Sequence, residues 1–108
     1  QDAVKQLSLE CDLVLVIGST TSSNSNRLKE LAEKCGTKSY LIDGTNNIDP
    51  KALEGINAVG ITAGASAPEE IVQEVIDYLA SYDFKKVRDL SQNKENLTFK
   101  LPKELAAL

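Results

Sequence analysis

The chain has 108 residues, the length of one domain, and its 42% hydrophobic and 26% charged residues are ordinary for a globular core. A net charge of −4, with 12 basic residues scattered rather than striped, leaves no electrostatic footprint for nucleic acid, and no apolar run reaches membrane-spanning length. Cys11 and Cys35 share no Cys-x-x-Cys spacing and the chain has no histidine, so neither a metal set nor a Ser-His-Asp or Cys-His catalytic group is expected from it.

Ala3, Val4, Leu7 and Cys11 suggest an opening helix, with Cys11 a small buried hydrophobe just before the first strand. Leu13-Val14-Leu15-Val16-Ile17 is short, continuous and rich in branched residues, which predicts a strand buried on both faces of a parallel sheet. Leu28, Leu31, Ala32 and Cys35 then recur at helical spacing, giving a helix over Asn24 to Lys34 that stops at Gly36, with Cys35 on its apolar face. A second strand follows at Ser39 to Ile42. Asp43 to Asn47 is turn chemistry, and Asp49-Pro50 supplies cap and first-turn residue for a short helix through about Leu53.

Ala58-Val59-Gly60-Ile61-Thr62 reads as another buried strand, and Ile71, Val72, Val75, Ile76 and Leu79 fall on one face of a long helix. Between them Ser66 and Glu69 have capping-box spacing, and Pro68 fits the first helical turn. Beyond Tyr82, the charged stretch Asp83 to Asn96 reads as a connector, and Leu97 to Leu101 alternates like a half-exposed strand that needs a partner elsewhere. The expected fold class is α/β: a three-layer sandwich with a mostly parallel sheet and helices on both faces, plus a C-terminal charged connector and strand. Residues 1–83 form the α/β domain, and 84–108 belong to the same domain or dock on a missing one.

The functional signal lies in two strand-to-helix loops. Ser19-Thr20-Thr21-Ser22-Ser23-Asn24-Ser25-Asn26 is an unbroken run of hydroxyl and amide side chains between Gly18 and a helix, where one or two capping residues would suffice. Without lysine or a second glycine between Gly18 and Asn26, it is not the phosphate loop of nucleoside triphosphatases, so any guest is held by neutral donors and backbone. Ala63-Gly64-Ala65-Ser66-Ala67-Pro68 is a small-residue approach that leaves room for a close partner. If the two strands are parallel neighbours, both loops emerge on one sheet edge, and Ser22, Ser23, Asn24 and Ser66 converge on one anionic group.

Three segments, Ser22-Ser23-Asn24-Ser25-Asn26-Arg27-Leu28, Tyr40-Leu41-Ile42-Asp43 and Thr62-Ala63-Gly64-Ala65-Ser66-Ala67-Pro68-Glu69, in that order and spacing, resemble the C-terminal third of the LytB-type 4-hydroxy-3-methylbut-2-enyl diphosphate reductases, over Gln1 to Leu105. The resemblance implies an iron–sulfur oxidoreductase of the non-mevalonate isoprenoid route that reductively removes a hydroxyl from an allylic diphosphate to give isopentenyl and dimethylallyl diphosphates. It further implies three similar α/β domains around a cavity holding cluster and substrate. By motif, Ser22, Asn24 and Ser66 match residues that hydrogen-bond the substrate diphosphate, with Ser23 beside them and two helix N-termini in support. The family's three cluster cysteines, its diphosphate-contacting histidines and its relay glutamate belong upstream of this chain. A 4Fe-4S cluster is therefore implied for the parent enzyme and none for the isolated chain, which is expected to be inactive alone. The implied partners are the allylic diphosphate, the upstream domains and an electron donor, with no nucleic acid and no membrane.

The absence of a signal-peptide pattern agrees with the cytoplasm, or the plastid stroma for a plant source. A flavodoxin-like carrier, or another phosphate-binding interaction domain without catalysis, is the alternative. Three tyrosines, two phenylalanines and no tryptophan are few to flank a flavin ring.

Overall fold

The computed structural model describes residues 2–19, 21, 23–63, 67–89 and 96–100. Its elements in chain order are α1 (Asp2–Glu10), β1 (Leu13–Ile17), α2 (Ser23–Lys34), β2 (Lys38–Ile42), two short 3-10 segments at Thr45–Asn47 and Pro50–Leu53, β3 (Ala58–Ala63), α3 (Glu69–Ser81), β4 (Lys85–Asp89) and β5 (Asn96–Lys100). The five strands form one sheet in the order β2-β1-β3-β5-β4. β1 lies parallel to both β2 and β3, and β5 joins antiparallel to β3 and β4.

Alternation along the strands assigns the two faces. Leu13, Leu15 and Ile17 of β1, with Val59 and Ile61 of β3, pack under Val72, Val75 and Leu79 of α3. Val14 and Val16 pack the other way, with Leu28 and Ala32 of α2 and Leu7 of α1. Helices thus cover both faces and the sheet is the middle layer, the three-layer α/β arrangement expected from the apolar runs. All five residues of β1 and all six of β3 are buried, as a central strand between two helical layers requires. Gly60 of β3 has a structural use: a Cβ there would lie 2.7 Å from Cγ of the fully buried Leu7, so its bare backbone lets α1 sit close on the sheet.

Local chemistry sets the element ends. Gly36, at φ +84°, and Asp83, at φ +72°, both take the left-handed conformation just past a helix. In each case paired bonds close the last turn: Thr37 N–H to Ala32 C=O (3.2 Å) with Gly36 N–H to Glu33 C=O (2.9 Å), and Phe84 N–H to Leu79 C=O (3.1 Å) with Asp83 N–H to Ala80 C=O (3.1 Å). Asp49 caps its 3-10 segment as expected, its carboxylate accepting from Lys51 N–H at 2.9 Å. The Asp12 carboxylate accepts from the N–H groups of Asn57 (3.0 Å) and Ala58 (3.1 Å), tying the entry of β1 to that of β3.

Four readings of the sequence need correcting. The charged stretch after Tyr82 is not all connector, because Lys85–Asp89 forms β4 at a sheet edge. β5 is not half-exposed: Leu97 and Phe99 enter the α3-side core and Thr98 is buried opposite Gly60, since both faces of this strand are covered. Pro68 is the N-cap of α3 and Glu69 its first residue, two positions short of the third place that the Ser66–Glu69 capping box requires; Ser66 itself lies outside the described residues. Cys35 follows the last residue of α2 and is half-buried, so Cys11 alone of the two cysteines lies in the core.

Candidate anion-binding site

The parallel pairing of β1 with β3 runs in register from Leu13↔Val59 to Ile17↔Ala63, so the loops that follow them start side by side, roughly 5 Å apart. The first loop leads to α2 on one face of the sheet and the second to α3 on the other. Two adjacent strands whose connections depart to opposite faces leave a crevice outside their carboxyl ends, which is where open α/β sheets bind ligands. The order β2-β1-β3 makes β1/β3 that switch point.

Of the four residues assigned to an anion from sequence, Ser23 and Asn24 are described and exposed in the first turn of α2. Ser22 and Ser66 lie outside the described residues. The hydroxyl-rich run is less of a loop than its composition suggested. Its second half, Ser23 to Asn26, is already helix, and Ser19 and Thr21 use their hydroxyls on each other (2.7 Å), with Thr21 N–H donating to Ser19 Oγ at 3.2 Å.

Ser25 was missed as a positioning residue. It is fully buried, and a Cβ on Gly18 would fall against its Oγ and 2.8 Å from its Cβ. The small pair Gly18 and Ser25 therefore lets the start of α2 close down on the end of β1, which fixes where the helix N–H groups point. A signal was present in the sequence: Ser25, Leu28 and Ala32 share one helical stripe, and the polar member of an apolar stripe marks a close approach.

Electrostatics separate the two helix ends. The first turn of α2 carries no acidic residue. That of α3 carries Glu69 and Glu70, both exposed, behind a proline with no N–H to give. Those carboxylates suit the dipole of α3 but would repel an anionic guest, so of the two helix ends that of α2 is electrostatically the better suited to an anion. A polar depression of about 680 Å³ runs along this end of α2, lined by Thr21, Ser23, Asn24, Asn26, Arg27 and Glu30. Arg27 and Glu30 lie on the same lining, a cation with a carboxylate opposing it.

Among the described residues no group of three or more histidine, cysteine, aspartate or glutamate side chains is placed to hold a metal ion. Cys11 is packed against Leu7 and Val14 in the core, and neither cysteine borders the crevice. Among the described residues the two cysteines are not grouped with other ligands as an iron–sulfur cluster would need. Among the described residues no helix is long and apolar enough to cross a membrane.

Fold and crevice together define a doubly wound α/β domain with a polar crevice at the carboxyl edge of its parallel strands, a candidate site for an anion. Comparison with known proteins makes this specific. The family model described as "LytB protein" matches residues 1–80, and the chain belongs to that family. It is 57% identical over 105 residues to the 4-hydroxy-3-methylbut-2-enyl diphosphate reductase of Saccharophagus degradans, covering 97% of this chain and 34% of that protein. The reductase of Azotobacter vinelandii is 54% identical over 105 residues, with 97% and 33% covered. Among solved structures, that of (E)-4-hydroxy-3-methyl-but-2-enyl diphosphate reductase, "the terminal enzyme of the non-mevalonate pathway", superposes with a TM-score of 0.71 at 32% identity over 75% of this chain and 29% of that one. The Plasmodium falciparum reductase gives 0.71 at 28% identity, with 73% and 25% covered. The chain thus spans about a third of the length of its curated relatives.

Proposed function

We propose that this chain is the C-terminal domain of a LytB-type reductase that removes the hydroxyl of 4-hydroxy-3-methylbut-2-enyl diphosphate reductively, giving isopentenyl and dimethylallyl diphosphates. Its task there is to hold the diphosphate. Ser22, Ser23 and Asn24 donate from the start of α2, and Ser66 donates from the loop after β3. The observation that carries this reading is the in-register parallel pairing of β1 and β3, whose following loops border one crevice from opposite faces of the sheet. Residues 84–108 belong to the same domain as 1–83, a reading supported by the seat of β5 between β3 and β4.

In this reading the redox chemistry is supplied by an iron–sulfur cluster whose cysteines are outside this chain, and an electron donor serves the complete protein. The chain's own contribution is orientation: fixed N–H and hydroxyl donors hold the diphosphate so that the allylic carbon bearing the hydroxyl is presented to the rest of the enzyme. Alone, the chain is inactive. The bacterial sources of the relatives agree with a cytoplasmic protein.

The test is an amide-resolved NMR titration of the chain with inorganic diphosphate and then with the allylic diphosphate. Saturable shifts confined to residues 18–26 and 63–70 are expected, in the millimolar range. Shifts spread over the surface, or none in the second loop, would overturn the shared site. Measurable turnover by the isolated chain would overturn the division of labour.

A further inference from the structure

The two edges of the sheet are built differently. β4 has the charged sequence Lys85-Lys86-Val87-Arg88-Asp89 and a register shift against β5 between Lys86 and Arg88, both devices that discourage pairing. β2, the opposite edge, keeps unbroken register with β1 from Leu13↔Lys38 to Ile17↔Ile42 and contains neither proline nor bulge. Its hydrogen-bonding polarity follows from one contact: Gly18 N–H donates to Ile42 C=O at 2.9 Å, so Ile42 faces β1 with its backbone. Backbone groups alternate sides along a strand, so those of Lys38 and Tyr40 also face β1, whereas those of Ser39 and Leu41 face outward.

A groove lies on each side of this edge, which no strand among the described residues pairs on its outer side. The one on the α2 side, about 930 Å³, is lined by Lys29, Glu33, Ser39 and Leu41 among others. The other, about 290 Å³, has an apolar floor of the buried Leu15, Ile42 and Ile48 and a polar rim on which Lys38 and Lys51 outnumber the one carboxylate, Asp49. Lys38 and Tyr40 border both. Lys29 is paired with Glu33 at 3.7 Å, but Lys38 and Lys51 have no ion-pair partner among the described residues, and the nearby Asp49 carboxylate is engaged by Lys51 N–H.

We propose that the β2 edge is a strand-addition site for an extended acidic peptide segment. Its backbone bonds the outward N–H and C=O groups of Ser39 and Leu41. On the face of the smaller groove it presents carboxylate, apolar and carboxylate side chains at alternate positions. The apolar side chain fills the space above Leu15, Ile42 and Ile48, and the flanking carboxylates meet Lys38 and Lys51. On the α2 side small polar side chains suffice. An added strand takes affinity from main-chain bonds and specificity from pockets for alternate side chains, and this edge offers both. The site is separate from the crevice between β1 and β3 and does not depend on the reading of that crevice.

The probe is a synthetic peptide, Thr-Asp-Thr-Val-Thr-Asp-Thr, added to the full chain while amide hydrogen exchange is followed by NMR. Exchange at Ser39 and Leu41 is expected to slow saturably, with no change at Tyr40 and Ile42, whose amides β1 already holds. Replacing both aspartates by lysine is expected to weaken binding about tenfold, and the double variant Lys38→Glu/Lys51→Glu to reverse that preference. A peptide N-methylated on its edge-facing amides should not bind. The proposal is overturned if millimolar peptide leaves Ser39 and Leu41 unprotected, if acidic and basic peptides protect them equally, or if the N-methylated peptide still protects them.

Discussion

Gly18→Ala tests how the end of β1 shapes the anion site. Gly18 is outside the left-handed region, so alanine fits its backbone and, by restricting the unfolded chain, would by itself stabilise by about 0.4–1 kcal/mol. Against this, the new methyl lies 2.8 Å from Ser25 Cβ and overlaps Ser25 Oγ. Carbon–carbon contacts settle at roughly 3.5–4.0 Å, so the first turn of α2 must retreat by about 1 Å. Overpacking of this kind costs about 1–3 kcal/mol, which outweighs the entropic gain and leaves a net loss of about 1–2 kcal/mol. With a urea dependence of about 1–3 kcal/mol per molar, the midpoint should fall by about 1 M or somewhat less. The double variant Gly18→Ala/Ser25→Gly removes both offending atoms. It should recover part of the loss despite about 1 kcal/mol for glycine inside a helix. Because Ser23 and Asn24 move with the turn, the diphosphate-induced shifts of the single variant should also shrink. An unchanged midpoint for Gly18→Ala, or a double variant no more stable than the single one, would refute the reasoning.

Three further outcomes follow from the packing. Gly60→Ala sets a methyl 2.7 Å from Leu7 Cγ and should cost about 1–3 kcal/mol, and Leu7→Ala about 2–5; the double variant should cost less than the sum, since one fills the space the other vacates, and strict additivity in urea unfolding would count against the close seat of α1. Thr98 is buried with no hydrogen-bond partner for Oγ1 among the described residues, so Thr98→Val should stabilise by about 1 kcal/mol, whereas a lowered melting temperature would show that the hydroxyl is used. The Tyr78 phenol is pushed up to about 12 from 10.0, by partial burial first, then by the hydrogen bond and charge of Tyr82 5.2 Å away between ring centroids, and by Asp49. Its folded value exceeds its unfolded one, so its contribution to stability is intact below pH 10 and lost as pH rises to about 12. Absorbance titration should show Tyr78 ionising late, and Tyr82→Phe should bring it only part of the way back because burial remains; a Tyr78 that titrates near 10.0 would rule this out.

Much of the fold was legible because its centre obeys simple rules. β1 and β3 are unbroken apolar runs and proved to be buried on both faces, and the stripe through Leu28 and Ala32 faced the sheet as its spacing required. What escaped depends on neighbours that no local pattern contains. Lys85–Asp89 looks like linker until it is known to be an edge, and Thr98 looks solvent-facing until α1 is known to lie over Gly60. The site divided the same way. That two polar loops share an edge was foreseeable from parallel strands, whereas the seat of Ser25 against Gly18 and the inequality of the two helix ends required knowing where α2 and α3 begin.

That inequality bears on what the domain can do unaided. A diphosphate brings several negative charges to a chain whose own net charge is −4, and the end of α3 facing the crevice carries Glu69 and Glu70. Against these stand one helix end free of acidic residues, hydroxyl and amide donors, and Arg27 with Glu30 on the same lining. Neutral donors fix orientation well but give modest net binding in water, and exposed charges at this distance are screened by salt. On the proposed reading, affinity in the complete protein would therefore come from cationic or strongly donating groups outside this chain, which spans about a third of the length of its relatives. The domain's proposed contribution is then geometry, and the small residues Gly18 and Ser25 that set the approach of α2 to β1 should matter more to it than added positive charge would.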